Sequence, residues 1–197
     1  MQHSELVPAF ADQVTDSQQV FRVLLKALSE PGIRHRIKHT AALEDLCQAG
    51  YGIALTLLDS STSVWLSPRL SSAHIRQNLA FHTGCHFVEE PEKAMFAFLC
   101  EEEIAVISRL NPGTDRDPEF SCTAIVQKVS LQSSVEQIWS GPGILNQRKL
   151  SFEMPSEFWH MRAQKMRFPQ GIDVFFVARD EVLGLPRTTQ VQEKSKE

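Results

Sequence analysis

The residues best suited to grip an anion lie late in the chain, where Arg187 follows Pro186 and precedes Thr188 and Thr189. A guanidinium beside two hydroxyls can chelate a phosphate or phosphonate through bidentate hydrogen bonds. The same trio can equally fix a partner's carboxylate, or serve the fold alone. Seven further arginines (Arg22, Arg34, Arg36, Arg69, Arg76, Arg109 and Arg116) fall near expected turns or on helix faces. His74, His82, Cys85 and His86 carry imidazole and thiolate, which are zinc ligands, within thirteen residues. Gly84 interrupts the His82–His86 interval and no second motif supplies further ligands, so no metal site is expected. The chain has neither a GxSxG elbow nor an HExxH motif, and Ser29 before Glu30 has nothing to activate it. Ser140-Gly141-Pro142-Gly143 is glycine-rich, but no Lys-Ser/Thr follows, so it reads as tight turns rather than a P-loop.

The elements that must position these groups belong to one domain. A chain of 197 residues is long enough to bury a full core without disulfides or metals. Its 42% hydrophobic and 22% charged residues are ordinary globular usage. A net charge of −4 argues against nucleic-acid binding, which needs a clear basic excess, while leaving room for a local patch fitting a small anion. The first ten residues hold Glu5 and Pro8 and no basic stretch leading into an apolar core, so no export signal is expected. No run approaches the ~18 apolar residues of a membrane span. A cytoplasmic location follows as an expectation, with Cys47, Cys85, Cys100 and Cys122 as free thiols.

Val20, Phe21, Leu24, Leu25 and Leu28 recur at helical spacing. Thr15 or Asp16 is the expected cap and Pro31-Gly32 the stop. Residues 33–37 read as a short polar strand. Residues 41–58 are ambiguous, with helix favoured for 53–58 although Gly50 and Gly52 interrupt. Further strands are expected at 63–66 and 94–99, and helices at 72–81 and 101–110, the latter with Glu101, Glu102 and Glu103 set against the macrodipole. Residues 123–131 and 135–139 read as a hairpin pair closed by Gln132-Ser133-Ser134. Ser156 is placed to cap a helix through Met166. Strand 173–178 and its return 182–185 flank a turn at Arg179-Asp180-Glu181. The polar stretch from Gln190 is expected to fray, giving a domain over 1–190 and a flexible tail over 191–197. Alternating strands and helices predict an α/β fold, a mixed sheet with helices on its faces.

Several blocks occur together in one order. They are residues 21–32, from Phe21-Arg22 to Pro31-Gly32; the 62–66 strand with Val64-Trp65-Leu66; and Phe81-His82-Thr83. Then come Pro112-Gly113-Thr114 with Pro118-Glu119; Gly141-Pro142-Gly143-Ile144; and Phe168-Pro169-Gln170-Gly171-Ile172-Asp173 with Pro186-Arg187-Thr188-Thr189. In order and spacing they resemble the PhnH subunit family of the bacterial carbon–phosphorus lyase system for phosphonate metabolism. The resemblance implies a reduced type I PLP-dependent transferase fold that does not use the cofactor. None of the eight lysines sits in a recognisable Schiff-base setting, and no cofactor is expected. The Cys85-His86 pair is a departure from the family pattern.

The resemblance further implies a homodimer when alone, and a core complex with the PhnG, PhnI and PhnJ subunits. With PhnI and PhnL that assembly attaches a phosphonate to the ribose of ATP, displacing adenine, in the alpha-D-ribose 1-methylphosphonate 5-triphosphate synthase step. PhnJ, an iron–sulfur radical enzyme, later breaks the carbon–phosphorus bond; this chain lacks the cysteine cluster such a centre requires. The expected role is a required subunit without a complete active site. The alternative is an enzyme binding a nucleotide or phosphonate at the dimer cleft. Arg22, His82, Thr83, Asp173, Arg187, Thr188 and Thr189 are the candidate anion or partner contacts.

Overall fold

In the computed structural model, which describes residues 6–38 and 40–193, the first helix α1 spans Gln13–Ser29. It starts earlier than Thr15 or Asp16 would set it. Asp12 is the cap, its Oδ1 accepting from the amides of Val14 and Thr15 at 3.1 Å each. Val20, Leu24 and Ala27 turn inward. The helix ends at Glu30, whose amide donates to the Lys26 carbonyl.

A seven-stranded mixed sheet receives this face. Its strands are β1 (Arg34–Arg36), β2 (Ser63–Leu66), β3 (His86–Phe87), β4 (Phe96–Cys100), β5 (Thr123–Gln127), β8 (Asp173–Ala178) and β9 (Glu181–Leu185). Their order is β1-β9-β8-β5-β4-β2-β3. From β3 to β8 all neighbours are parallel; β9 runs against β8, and β1 against β9. A second, antiparallel sheet has the order β10-β6-β7, with β6 at Glu136–Ser140, β7 at Arg148–Ser151 and β10 at Gln190–Glu193.

The two-residue alternation of the parallel strands builds two cores. Phe98, Ile125, Phe175 and Val177 face α1, α2 (Gln48–Leu57) and α3 (Ala73–Thr83). Leu99, Val126, Val174 and Phe176 face the 3-10 segment Glu101–Arg109, α4 (Ser156–Lys165) and the small sheet, where Trp139, Phe152 and Phe158 pack. Gly184 on β9 brings α1 unusually close, since a Cβ there would lie 2.4 Å from the Ala27 carbonyl oxygen.

Several expectations change. Residues 123–131 and 135–139 do not form a hairpin. Ala124, Ile125 and Val126 are buried on both faces, which suits the centre of a parallel sheet, so β5 pairs with β4 and β8. In β6 only Gln137 and Trp139 are fully buried, and this half-buried strand pairs with β7 and β10. Strand β7, with Arg148 and Lys149, has no apolar run to announce it. The expected frayed stretch from Gln190 is instead strand β10 as far as Glu193, and 194–197 lie outside the described residues. The 101–109 segment is a 3-10 helix with a kink at Glu103. Ser156 is the first helical residue of α4, behind Pro155, and makes no capping bond. Helix α2 passes through both Gly50 and Gly52. Among the described residues no helix is long and apolar enough to cross a membrane.

The tight α1–β9 contact makes Gly184→Ala a test of this packing. It should cost about 2–3 kcal/mol in urea denaturation. An unchanged midpoint would mean the helix is not held this close.

Candidate functional site

Strands β8 and β9 pair so that Val174 faces Leu185, which sets Asp173 beside the exit of β9. Asp173 Oδ1 accepts the Arg187 amide at 2.7 Å, and Oδ2 accepts from Nε at 3.1 Å and Nη2 at 2.6 Å. Nη1 donates to the carbonyls of Pro118 (2.8 Å) and Pro169 (3.5 Å), and Nη2 also reaches Ser121 Oγ at 2.6 Å. All five guanidinium N–H groups are therefore engaged inside the molecule. Gly171 leaves room for this side chain: a Cβ there would lie 2.7 Å from Arg187 Cβ.

The next turn rests on Arg162, which is 4% exposed. Its Nη2 donates to the carbonyls of Pro186 (2.7 Å), Thr189 (3.1 Å) and Arg187 (3.4 Å). Burial lowers its pKa to about 10, against the opposing pull of the Asp173 charge, so it remains a cation at neutral pH. Thr188 is half-buried in this turn and Thr189 fully buried.

Asp173, Arg187, Thr188 and Thr189 thus come together. Arg22, His82 and Thr83 do not join them. Arg22 is exposed on α1. His82 Nε2 lies 2.9 Å from the Val7 carbonyl, and Thr83 Oγ1 donates to Leu79 O at 2.8 Å and accepts from the Cys85 amide at 3.1 Å. Both sit at the end of α3, which leads into β3, and β5, β4 and β2 separate β3 from β8. His74 Nδ1 lies 2.8 Å from Glu44 Oε1. Among the described residues, no group of three or more His, Cys, Asp or Glu could hold a metal ion.

A polar constellation forms at the opposite edge of the sheet. After β2 the chain crosses through α3 on one face; after β4 it crosses through the 3-10 segment on the other. Neighbouring strands whose connections diverge open a crevice at their carboxyl ends, where ligands of open α/β sheets bind. A cleft of about 400 Å³ adjoins this point, with Arg69, Cys100, Glu101, Gln127, Lys128 and Arg179 in its wall. A second cleft of about 500 Å³ shares Glu101, Glu102, Lys128 and Val129 with it. Between the two, Lys128 Nζ pairs with Glu101 with its side chain 11% exposed. Gln127 ties the wall to α2, its Oε1 accepting the Cys47 amide at 2.8 Å and its Nε2 donating to Asp45 O at 2.6 Å. Arg69 Nη1 approaches Glu102 at 3.5 Å, and its amide donates to Glu103.

Arg179 differs from the other two cations. Its guanidinium makes no ion pair or hydrogen bond among the described residues, while its carbonyl accepts the Ala49 amide at 2.7 Å. Sequence reasoning missed this cleft. Its signal was positional, since Glu101, Lys128 and Arg179 each directly follow the last residue of a parallel strand, and that signal needs the strand order to be read.

Burial biases the thiols in the wall toward their protonated form. Burial raises the pKa of Cys47, and burial together with the Glu103 charge pushes Cys100 up to about 11. Burial likewise raises Cys85 and takes Cys122 to about 12.

Fold and site together define a single α/β domain whose described residues assemble no metal cluster, and which carries one latched edge and one open polar cleft. The model of the family "Bacterial phosphonate metabolism protein (PhnH)" matches residues 8–192, and the chain belongs to that family. It is 38% identical over 189 residues to the "Alpha-D-ribose 1-methylphosphonate 5-triphosphate synthase subunit PhnH" of Rhizobium meliloti (strain 1021), covering 93% of this chain and 94% of that protein. It is 26% identical over 186 residues to the "Putative C-P lyase subunit protein HtxG" of Stutzerimonas stutzeri, covering 92% and 89%.

Arg187→Ala should cost about 2–4 kcal/mol in urea denaturation, because it strands the part-buried Asp173 carboxylate and frees two loop carbonyls. Arg187→Lys should recover less than half of that, since an ammonium cannot reach the same partners. The thiols predict a pH trend. Their raised folded-state pKa values contribute stability that is whole below the unfolded value of about 8.5 and is lost as pH climbs through about 11 and about 12. The urea midpoint should fall over that range, and Cys122→Ala should flatten the fall. A flat midpoint would contradict the burial of these groups.

Proposed function

We propose that this chain is a subunit of the carbon–phosphorus lyase core complex, serving organic phosphonate catabolism at the alpha-D-ribose 1-methylphosphonate 5-triphosphate synthase step. The observation that carries this is the match to a named synthase subunit at 38% identity over nearly the whole of both chains. In this reading the protein works in the cytoplasm, forms a homodimer alone, and joins PhnG, PhnI and PhnJ in the core. It supports transfer of the phosphonate to the ribose of ATP without supplying the complete active site. The kinship with a reduced type I PLP-dependent transferase, without use of the cofactor, belongs to the same proposal. Its support is the sequence resemblance, and an absorbance scan of the purified protein should then show no internal-aldimine band.

The surface is compatible with a subunit. Phe96, Thr123 and Asp173 open three adjacent parallel strands in register, and beside them lies an apolar groove of about 160 Å³ walled by Phe21, Leu25 and Leu28 of α1. Met95 lies next to it, exposed. Arg187 pins the loops that present Phe120, 62% exposed, and Phe168, 85% exposed, to this same amino-terminal edge. Large apolar side chains gathered on one edge mark a surface that another protein covers.

Co-expression with the other core subunits tests the proposal. The wild-type chain should co-elute with them in size-exclusion chromatography. Phe21→Asp with Phe120→Asp should drop out of the assembly while its unfolding free energy from urea denaturation moves by less than about 1 kcal/mol, as surface substitutions do. Assembly of the other subunits without the wild-type chain would overturn the reading.

A further inference from the structure

We propose that the cleft at the carboxyl edge of the parallel sheet binds a small molecule bearing a phosphate or phosphonate group, held by Arg179 and Arg69 with Lys128 behind them. Three observations carry this. The first is place: the cleft adjoins the topological switch point between β2 and β4, and at about 400 Å³ it is of small-molecule size.

The second is charge. The wall holds the cations Arg69, Lys128 and Arg179 against the carboxylates Glu101 and Glu102. The Arg69–Glu102 contact is 3.5 Å long between side chains more than half exposed, so solvent screens it and an arriving dianion can replace it. The Arg179 guanidinium has no internal partner among the described residues. This is the reverse of Arg187, whose five donors are all engaged.

The third is preorganisation. Arg179 stands at φ 53°, a left-handed conformation that glycine or asparagine adopts more easily, in the tight turn between β8 and β9. Its backbone is fixed from the other side by the amide of Ala49 at the start of α2. A long cation is thus kept where a turn-forming residue would serve the fold better. Lys128 adds a charge that structure alone does not require, since a part-buried ion pair adds little stability over packed apolar side chains. Its ammonium reaches both clefts and can pass from Glu101 to an anion oxygen. The neutral Cys47 and Cys100 thiols offer the uncharged part of the ligand a soft, unreactive wall.

Isothermal titration of the full chain with methylphosphonate, inorganic phosphate and ATP tests this. At least one probe should bind at or below about 10 mM. Arg179→Ala should weaken that binding roughly tenfold, the worth of one charge-assisted hydrogen-bonded contact, without lowering the urea midpoint. Glu101→Gln should strengthen it severalfold by removing the competing carboxylate. Tighter binding of ATP than of the two small anions identifies a nucleotide as the ligand; equal binding identifies the tetrahedral anion alone. No heat with any probe, or wild-type affinity in Arg179→Ala, overturns the proposal. The partner subunits are absent from this experiment, so its failure leaves the subunit reading standing, and failure of the co-elution test leaves this one standing.

Discussion

The guanidinium of Arg187 settles how the two edges of the main sheet divide their work. Its donors bind the first residue of β8, the loop before β5 and the loop before β8, so segments 14 to 69 residues apart meet on one planar group. Nε and Nη2 converge on the single oxygen Oδ2 of Asp173, which fixes the plane of that group, and the remaining donors then have fixed directions. An anion binding at Arg187 would have to break contacts that hold the edge together. At the amino edge the donors of Arg187 are thus engaged, while Phe120 and Phe168 turn outward. At the carboxyl edge the polar groups following β4, β5 and β8 line open space.

Arg162 continues the same logic one layer deeper. A buried cation without a carboxylate in contact would be costly. Three carbonyls in the turn after β9 converge on it, and the Asp173 charge lies near enough to oppose the effect of burial. The turn it holds feeds β10, which closes the small sheet against β6. Two arginines thus organise the chain from Pro186 to Thr189, Arg187 from within it and Arg162 packed against its carbonyls.

Much of the fold was legible because its signals are local. The apolar face of α1, the continuous apolar run of β4 and the Val-Phe run of β8 mark themselves by spacing. The failures have one cause. Strand partners are chosen by burial on both faces, and that depends on neighbours distant in sequence. Short spacing made 123–131 and 135–139 look like a hairpin, yet the apolar content of β5 suits the centre of a sheet better than its edge. Polar β7 and β10 are strands only because β6 offers them hydrogen bonds. The surroundings of the candidate site were hidden for the same reason. Arg187 beside two threonines has the composition of an anion grip, but nothing local reveals that Asp173, Pro118, Pro169 and Ser121 already occupy it. Arg179 was legible only as part of a turn until the order of strands placed it in a crevice.

The long reach of Arg187 also bears on the order of events as the chain is made. Every partner of its guanidinium precedes it in sequence, by up to 69 residues. A growing chain can form α1, the first parallel strands and much of both cores while the loops bearing Phe120 and Phe168 remain unlatched. The amino edge takes its final shape only after residue 187 has emerged from the ribosome. The loops bearing Phe120 and Phe168 thus gain their shared anchor only after both have been synthesised, and until then they lack the contact that joins them.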